Sequence, residues 1–440
     1  MHSVSIITLG CKQNKYESDC MAKIIEDAGY YVTDKLEKAD IYIINTCAVT
    51  AEAEKKSRQY VAKCNKLNSS AKIVICGCAS ENSVEQFVKD DCEFQDRNVF
   101  SIIGTEGKQN ILDYINKAVK AKNELSLIYD SPNLPKKTTT RENLKIQDGC
   151  NNFCTYCLIP YLRGRSRSRE LDEIIAEAKI MASRSKEIVL TGIDISSFAI
   201  DGKPALATLM RELVNVPALI SLGSLEQGVI TTELLEVLSS MPNFSPHFHL
   251  SLQSGDNEIL KKMNRHYTAD EFYEKVELIR KYFPLANITT DVIVGFASET
   301  EEQFENTKNF IEKCEFSFVH IFPYSKRKGT KAYDLPDLNK DIKKHRVDIL
   351  EEVNANLSKR YLSKFIGKTS KMLFEEEKEF NEGYSTEYIR CYSDKKLCSG
   401  YIYGVKFTEI YNGGLKVEVV DFENELCRSL FEKMNNTDKN

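Results

Sequence analysis

The sequence predicts an α/β protein in three parts: an N-terminal parallel-sheet α/β domain, a central partial (β/α)6 barrel, and a small C-terminal all-β barrel. Apolar strands alternate with amphipathic helices over residues 1–125, which is typical of a parallel sheet. The same alternation recurs six times over residues 144–366. Short β-rich runs punctuated by glycine fill residues 367–433. Residues 126–143, with prolines, lysines and a run of threonines, are predicted to be a linker.

In the first part, the apolar runs predict a strand ending at Leu9 and further strands over residues 41–44, 73–75 and 99–103. Helices are predicted over residues 16–28 and 51–65, with a last helix ending near Val119. In the second part, we expect strands over 144–147, 187–191, 219–225, 247–252, 288–294 and 316–322, and one long helix over 341–365. Catalytic groups of such a barrel are expected at the carboxyl ends of its strands.

Composition narrows the class of protein. The chain has 440 residues and a formal net charge of -5, which excludes a uniformly basic coat for nucleic acid but allows a local basic patch. No apolar run approaches the roughly 18 residues of a membrane-spanning helix, and the N-terminus lacks the pattern of a secretory signal. We therefore expect a cytoplasmic protein. Its 14 cysteines then indicate metal or redox chemistry more than disulfides.

Three cysteines, Cys150, Cys154 and Cys157, lie within eight residues directly after the first predicted barrel strand. Soft thiolates select iron–sulfur clusters or zinc. A structural zinc site wants four ligands, and no histidine or further cysteine lies nearby in the sequence. The spacing favours a 4Fe-4S cluster with one iron left open for a substrate or cofactor. A three-cysteine zinc loop completed by a distant ligand is the alternative.

A second set of thiols, Cys11, Cys47 and Cys78, lies just beyond the carboxyl ends of three predicted parallel strands. Those ends meet at one edge of a sheet, so the three cysteines are expected to converge on one crevice. Cys76 competes with Cys78 for this position, and we prefer Cys78 because it follows a glycine, as Cys11 does. Burial in the core is the alternative for all of them. That role is assigned to Cys20, Cys64, Cys92, Cys314, Cys391, Cys398 and Cys427.

These motifs together resemble the radical S-adenosylmethionine (radical SAM) methylthiotransferases. The similarity rests on the cluster loop and on residues 8–18, 45–50, 77–78, 147–168, 252–255, 263–265 and 290–296. Within the family, the chain is most similar to the branch that acts on threonylcarbamoyladenosine in tRNA. This similarity rests on Lys12, on residues 16–18 and on the arginine-rich run 163–169. The chain departs from the usual pattern at Ala297-Ser298, where Pro-Gly is common, and at Gln227, where proline is common.

The resemblance implies two 4Fe-4S clusters, S-adenosyl-L-methionine as cofactor, and a C-terminal TRAM domain, which is an OB-like barrel that binds RNA. It implies that one cofactor molecule methylates sulfur at the N-terminal cluster. A second, cleaved at the Cys150/Cys154/Cys157 cluster, yields the deoxyadenosyl radical that removes hydrogen from C-2 of the adenosine at tRNA position 37. No catalytic residue beyond the cluster ligands is expected. The partners implied are the tRNA anticodon loop, an electron donor such as flavodoxin or ferredoxin, and a sulfur source.

Basic residues beside the cluster loop are candidates for substrate binding. Arginine suits both phosphates and carboxylates through paired hydrogen bonds, and a solvated surface strand is the alternative for such a run. A second basic run follows the sixth predicted strand. The candidate substrate-binding residues are Arg163, Arg165, Arg167, Arg169, Lys326, Arg327 and Lys328.

The resemblance also suggests Tyr156 and Gly192 as cofactor-binding residues. Glu226 and Gln253, which lie beyond the third and fourth predicted strands, are further candidates as polar lining of the same site. Tyr156 is equally compatible with a place in the core. His247 and His249 alternate along one predicted strand and so share a face. Because no carboxylate or third histidine is seen in register with them, we interpret both as hydrogen-bonded barrel residues and not as a metal pair.

Alternative functions remain open at this point. The related branches of the family act on isopentenyladenosine in tRNA or on an aspartate of a ribosomal protein. An alternative of another class is a non-catalytic metal-containing RNA-binding protein, which would share the basic runs and the β-rich tail but would not cleave S-adenosylmethionine.

Overall fold

The computed structural model describes residues 2–87, 99–121, 134–377 and 381–436. Its first part is a six-stranded sheet in which all the neighbouring strands run parallel. The strands are β1 (Ser3–Thr8), β2 (Tyr31–Thr33), β3 (Ile41–Thr46), β4 (Lys72–Gly77), β5 (Val99–Ile103) and β6 (Lys120–Ala121). The helices are α1 (Lys12–Asp27), α2 (Ala51–Leu67), α3 (Cys78–Asn82) and α4 (Ile111–Asn116).

The sheet order is β2-β1-β3-β4-β5-β6, so β3 and β4 lie in the middle. Every residue of β3 is buried, as expected of a strand covered by helices on both faces. Thr50 caps α2 by accepting a hydrogen bond from the N–H group of Ala53. The parallel sheet predicted for this part is confirmed. The short edge strand β2 was missed because three residues give too little alternation to detect.

The central part is a partial barrel of parallel β/α units. Its elements are β7 (Arg141–Lys145), β8 (Gln147–Asp148), α5 (Ile159–Arg163), β9 (Arg167–Ser168), α6 (Leu171–Ala182), β10 (Glu187–Thr191), β11 (Ala199–Ile200), β12 (Lys203–Pro204), α7 (Leu206–Leu213), β13 (Leu219–Leu222), β14 (Ser224–Leu225), α8 (Thr232–Ser240), β15 (His247–Gln253), α9 (Asn257–Lys262), α10 (Ala269–Tyr282), β16 (Asn287–Val294), α11 (Glu301–Cys314), β17 (Phe318–Pro323) and α12 (Lys340–Ser363).

The barrel wall consists of two sheets, β13-β10-β7 and β14-β15-β16-β17. The chain passes from the first sheet to the second at Gly223, between β13 and β14, so the third predicted strand is divided between them. The six β/α units are confirmed. The first barrel strand begins at Arg141 and not at Leu144, because residues 141–143 pair in register with β10 despite their polar side chains.

The C-terminal part is a closed five-stranded barrel with the order β18-β19-β20-β22-β21. Its strands are β18 (Thr369–Glu377), β19 (Asn381–Ser385), β20 (Arg390–Ser393), β21 (Ile402–Tyr411) and β22 (Gly414–Phe422), and the helix α13 (Glu425–Asn436) follows. Strands β20 and β22 pair in parallel, and the other neighbours are antiparallel. The all-β barrel expected here is confirmed. Among the described helices, none combines the length and the apolar character needed to cross a bilayer.

Candidate functional site

The structure brings Cys11, Cys47 and Cys78 to one edge of the N-terminal sheet. They follow β1, β3 and β4, three neighbouring parallel strands whose carboxyl ends lie side by side. Burial, with smaller contributions from the neighbouring thiols of Cys78 and Cys11, raises the pKa of Cys47 to about 11. Each thiolate therefore disfavours ionisation of the next, as expected of thiols that share one small space.

Two glycines allow this close approach. Gly10 has a φ of +98°, and a Cβ atom at this position would lie 2.8 Å from the Sγ atom of Cys47. Gly77 has a φ of +100°, and its Cβ atom would lie 2.6 Å from the carbonyl oxygen of Thr46. Both the left-handed backbone and the lack of space require glycine at these two positions. The glycines thus allow Cys11 and Cys78 to turn towards Cys47.

The other cysteines have different surroundings. Cys76 is fully buried among Val4, Ile6 and Met21 in the core of the sheet, whereas Cys78 lies in the core on the opposite face. Cys20, Cys64, Cys314, Cys391 and Cys427 are buried, and Cys398 is half-buried. Cys92 lies outside the described residues.

The second trio lies on the loop between β8 and α5, at the mouth of the barrel. Cys154 is buried, and Cys150 and Cys157 are half-buried. The N–H groups of Asn152 and Ile159 donate to the Sγ atoms of Cys150 and Cys157, each over 3.4 Å. These hydrogen bonds hold two of the thiols in a fixed orientation, as is common around sulfur ligands of clusters.

The segment after α9 fastens this loop from the other side. Nδ2 of Asn264 donates to the carbonyl oxygen of Asn152 over 2.9 Å, and the N–H group of Thr155 donates to the carbonyl oxygen of Met263 over 3.0 Å. Nη1 of Arg265 lies 3.4 Å from Sγ of Cys154. Residues 263–265 were part of the sequence resemblance, but no role had been predicted for them.

The donor sets fit iron–sulfur clusters. Burial, with smaller contributions from neighbouring thiols, raises the pKa of Cys150 and of Cys157 to about 12. Bare thiolates are therefore unfavourable here, and a bound cationic metal would stabilise them by replacing the protons. Each trio supplies three sulfur ligands, one fewer than a closed tetrahedral zinc site requires.

The two trios face each other across the junction between the sheet and the barrel. Leu158, which directly follows Cys157 of the cluster loop, packs in the same buried core as Cys78 of the N-terminal part. Nε of Arg163, at the end of α5, donates to Sγ of Cys78 over 3.4 Å. The structure therefore assembles six thiols around one junction, three from each part of the chain.

A buried ion cluster holds this junction together. Nη1 of Arg163 donates to Glu17 over 2.7 Å, and Nη2 donates to Asn14 over 2.7 Å. Lys145 lies 3.1 Å from Glu17 and 2.7 Å from Asp148. Burial alone would raise the pKa of Glu17, but Arg163 and the nearby lysines hold it well below its ordinary value. Glu17 and Asp148 therefore remain ionised and join α1 to the barrel.

The arginine run requires a correction. Arg163, Arg167 and Arg169 are 1%, 8% and 5% exposed, so they neither form a solvated strand nor present their guanidinium groups to a substrate. Arg167 pairs with Glu106, and Arg169 pairs with Glu177 at 2.7 Å.

Arg165 differs from the other three arginines. It is exposed, and its guanidinium group stacks on Phe153 of the cluster loop, 4.4 Å from the ring centre. Arg165 is the member of the run that remains available to a substrate at the mouth.

The second basic run divides in the same way. Arg327 is buried and forms an ion pair with Glu54 of α2 at 2.5 Å, so its guanidinium group is not presented to a substrate as expected. Lys326 and Lys328 are exposed. Nζ of Lys326 donates to the carbonyl oxygen of Leu335 over 3.1 Å. Arg327 thus joins the barrel to the N-terminal sheet, and its two neighbours face solvent.

The four predicted cofactor-binding residues occupy different parts of the mouth. Tyr156 is half-buried and packs edge-on against Phe296, with ring centres 6.4 Å apart. A Cβ atom at Gly192 would lie 2.9 Å from the carbonyl oxygen of Gln147. Glu226 accepts a hydrogen bond from Nη2 of Arg265. Gln253 ends β15 in the left-handed conformation, with a φ of +70°.

Asp194 belongs to this group but was missed by the sequence analysis. Its Oδ2 atom accepts from Nδ2 of Asn152 over 3.3 Å, which ties the strand end after β10 to the cluster loop. Burial and the neighbouring Glu226 raise the pKa of Asp194 to about 6. Its position in the sequence could have indicated a role in the site, because an acidic residue shortly after a barrel strand lies at the carboxyl end of that strand.

The two departures from the family pattern lie at turns. Ser298 has a φ of +55°, the left-handed conformation that glycine adopts without strain, which explains why glycine is common there. Gln227 begins a single turn of 3-10 helix after Glu226.

The barrel histidines have more partners than expected. Thr289 Oγ1 lies 3.0 Å from Nε2 of His247 and 2.8 Å from Nδ1 of His249, so both are hydrogen-bonded barrel residues. The statement that no carboxylate or third histidine is in register was wrong. Asp291 pairs in register with His320, and Nε2 of His249 lies 3.1 Å from Oδ2 of Asp291. Ligand atoms of His249, Asp291 and His320 all lie within 4.8 Å of one another.

Comparison with known families identifies two matching segments. Residues 144–311 match the Radical SAM superfamily, and residues 3–96 match the family described as Uncharacterized protein family UPF0004. The first match contains the Cys150/Cys154/Cys157 loop. The second contains Cys11, Cys47 and Cys78.

Whole-chain relatives are also found. The threonylcarbamoyladenosine tRNA methylthiotransferase MtaB of Bacillus subtilis (strain 168) is 36% identical, covering 96% of this chain and 98% of the relative. The tRNA-2-methylthio-N(6)-dimethylallyladenosine synthase of Dictyoglomus thermophilum is 34% identical, and the alignment covers 94% of this chain and 98% of the relative. Among solved structures, the radical S-adenosylmethionine methyltransferase TsrM from Kitasatospora setae aligns with a TM-score of 0.55 at 14% identity, covering 76% of this chain and 77% of TsrM. That likeness concerns the fold.

Proposed function

The chain belongs to the radical SAM methylthiotransferases, and from this premise we propose that it adds a methylthio group to C-2 of N-6-threonylcarbamoyladenosine at position 37 of tRNA. Relatives that carry the name of this activity span nearly the whole chain at 32–36% identity. The observation that carries the proposal is the meeting of the two cysteine trios at one junction. A methylthio transfer needs a site that makes a radical and a site that holds sulfur, within reach of one substrate atom.

The enzyme uses an iron–sulfur cluster and S-adenosyl-L-methionine, as its superfamily does. We assign Cys150, Cys154 and Cys157 to that cluster. We assign Cys11, Cys47 and Cys78 to a second 4Fe-4S cluster. When bound, the first cluster supplies the electron that splits the cofactor into methionine and a hydrogen-abstracting radical, and the second holds the sulfur that is transferred.

The chain's own residues position these groups and shield them from water. Asp194 and Glu226, at neighbouring strand ends, offer acceptors for the amino and hydroxyl groups of the cofactor. Gly192 and Gln253 leave backbone close to the same space, and Tyr156 provides an aromatic face. The hydrogen abstraction needs no general acid or base, because the radical removes a whole hydrogen atom, that is, a proton and an electron together.

Binding of tRNA is assigned to exposed cations and to the closed C-terminal barrel. Arg165, Lys326 and Lys328 lie on the exposed surface around the mouth. The target base must leave its stack to reach the junction, which costs least in a single-stranded loop. We propose that the barrel over residues 367–433 is a TRAM domain that holds the tRNA body.

The remaining domain assignments follow the same division. Residues 1–125 would hold the sulfur-carrying cluster and the barrel part, up to residue 366, the cofactor cluster. The linker predicted over 126–143 ends at residue 140, because β7 begins at Arg141. Residues 126–133 lie outside the described part of the chain. Because each turnover consumes electrons and sulfur, the enzyme needs an electron donor such as flavodoxin or ferredoxin and a source of replacement sulfur. These partners and the substrate tRNA place its work in the cytoplasm.

The test is mass spectrometry of tRNA nucleosides from a strain that lacks the gene, carrying either the wild-type gene or Cys47→Ala. The wild type should restore 2-methylthio-N-6-threonylcarbamoyladenosine, whereas Cys47→Ala should not. A related activity on dimethylallyladenosine is the second candidate, because relatives with that name are also about one-third identical. Restoration of 2-methylthio-N-6-dimethylallyladenosine alone would establish the second candidate and refute the first.

A further inference from the structure

A cavity of about 660 Å³ lies within the partial barrel, a volume typical of small-molecule sites. Strands β15, β16 and β17 form one wall, and the C-terminal barrel contributes Tyr384 and Tyr388. Lys12 from the N-terminal sheet and Ser224 from β14 also line it. We call this space the barrel cavity. All three parts of the chain therefore contribute to its lining.

Lys12 brings a cation from the N-terminal part of the chain into the barrel cavity. It follows Cys11 in the sequence and begins α1, so its position relative to that thiol is fixed. The described part of the chain shows no ion pair for Lys12, unlike Lys15 and Lys23 further along the same helix, which pair with Asp19 and Asp27. The Lys12 ammonium group is thus available to an anionic ligand.

The opposite wall offers hydrogen-bonding groups. His249, Asp291 and His320 converge on the barrel cavity from three neighbouring strands. Thr289 fixes the His249 ring through Nδ1, and Asp291 lies at its Nε2 atom. Phe318 and Phe322, which are 42% and 45% exposed, add apolar surface to the same wall. The wall therefore combines hydrogen-bond acceptors and donors with apolar contact area.

We propose that the barrel cavity binds the threonylcarbamoyl substituent of the modified adenosine, with Lys12 paired to its carboxylate. The Asp291 carboxylate accepts from the ureido N–H or hydroxyl group, and His320 contacts the same polar atoms. This inference rests on the proposed function. The substituent is attached to N-6, on the same ring as C-2, and the proposal places it in the barrel cavity while C-2 lies at the cluster junction.

The arrangement would make the substituent a condition for tight binding. An unmodified adenosine leaves Lys12 and Asp291 without their ligand groups in a partly desolvated cavity, and a site built to hydrogen-bond a substituent rejects ligands that lack it. An isopentenyl group carries no charge or hydrogen-bonding atom and would be rejected for the same reason. The barrel cavity therefore determines specificity, while the clusters carry the chemistry.

The experiment compares two anticodon stem–loops that differ only at position 37, one with threonylcarbamoyladenosine and one with adenosine. Dissociation constants are measured for the holoenzyme and for Lys12→Met, His320→Phe and Lys23→Met at one salt concentration. Lys23 is an exposed lysine of the same helix and serves as the matched control. Iron content and cofactor cleavage without RNA show whether each variant is folded and loaded.

We expect the wild type and Lys23→Met to prefer the modified stem–loop, and Lys12→Met and His320→Phe to lose at least about tenfold of that preference. If both cavity variants prefer the modified stem–loop to within twofold of the wild-type preference, the inference is overturned. Methylthiolation of the modified tRNA by the wild type would still support the proposed function in that case. A wild-type enzyme that does not methylthiolate it would refute that function instead. A manganese or zinc ion lost from His320→Phe but kept in Lys23→Met would show a metal site and overturn the inference.

Discussion

Nε of Arg163 lies 3.4 Å from Sγ of Cys78, so a side chain of the barrel part donates a hydrogen bond to a thiol of the N-terminal sheet. The same guanidinium group binds Glu17 and Asn14 of α1. One residue thus links the sheet, the helix that follows Cys11 and the loop that carries the second trio. This buried contact helps to hold the two cysteine trios at one junction.

Replacement of Arg163 by methionine should destabilise the junction. The substitution leaves the buried carboxylates of Glu17 and Asp148 short of a positive partner, which typically costs about 3–5 kcal/mol. We expect a lower thermal midpoint and slower methylthiolation by the purified holoenzyme. Arg165→Met, two residues away and exposed, is the matched control for stability. Equal thermal midpoints for the two variants would contradict the role given to Arg163.

Arg265→Gln should lower the reduction potential of the cluster bound by Cys154. Arg265 donates to Sγ of Cys154, and hydrogen bonds and positive charge near sulfur stabilise the reduced cluster. The measurement is a redox titration followed by electron paramagnetic resonance. Arg211→Gln, at an exposed ion pair with Glu233, should leave the potential unchanged. A potential for Arg265→Gln that equals that of the wild type would show that the contact does not tune the cluster.

Stability should fall as the pH drops below about 6.5, partly through His247. Burial and the neighbouring His249 hold the pKa of His247 well below its ordinary value, so the folded protein keeps the ring neutral. In the unfolded chain the same histidine binds a proton near pH 6.5. The free energy of unfolding therefore decreases as the pH falls below 6.5, by up to about 1.4 kcal/mol per pH unit for one proton. His247→Gln should show a smaller drop in thermal midpoint between pH 7.5 and 5.5, and His345→Gln should show the wild-type drop. An unchanged drop in His247→Gln would exclude His247 as the cause.

Binding of tRNA should weaken steeply with salt, because phosphate contacts release counterions. Lys328→Ala should reduce the slope of log K against log salt concentration by about one, which is the effect of losing one phosphate contact. Lys66→Ala, at the far end of α2, is the control. Affinity that is constant between low and high salt would argue against a nucleic-acid substrate.

The convergence of the thiols could be predicted because it depends only on the direction of the strands. Cys11, Cys47 and Cys78 follow three apolar strands, and parallel strands end at one edge. The burial of Arg163, Arg167 and Arg169 could not be predicted. Gly164, Ser166 and Ser168 between them give no apolar pattern, and Arg163 and Arg167 pair with Glu17 and Glu106, which lie far away along the chain.

The wall of the barrel cavity was missed for a related reason. Alternation along one strand showed that His247 and His249 share a face, but the register between strands decides which side chains lie beside them. Asp291 and His320 are opposite each other in β16 and β17, and the sequence alone does not contain that pairing. The local sequence pattern therefore predicted the helices, the strands and the candidate cysteine ligands. The polar side chains around them depend on pairing between strands that are distant in the sequence.

The most direct test of the central claim is the iron content of the anaerobically reconstituted wild type and of the triple variant Cys11→Ala, Cys47→Ala, Cys78→Ala, measured together with cofactor cleavage. Two clusters at one junction predict about eight irons per wild-type chain and about four in the variant, with cofactor cleavage kept and methylthiolation lost. A triple variant that retains about eight irons, or that still methylthiolates tRNA at the wild-type rate, would contradict the claim.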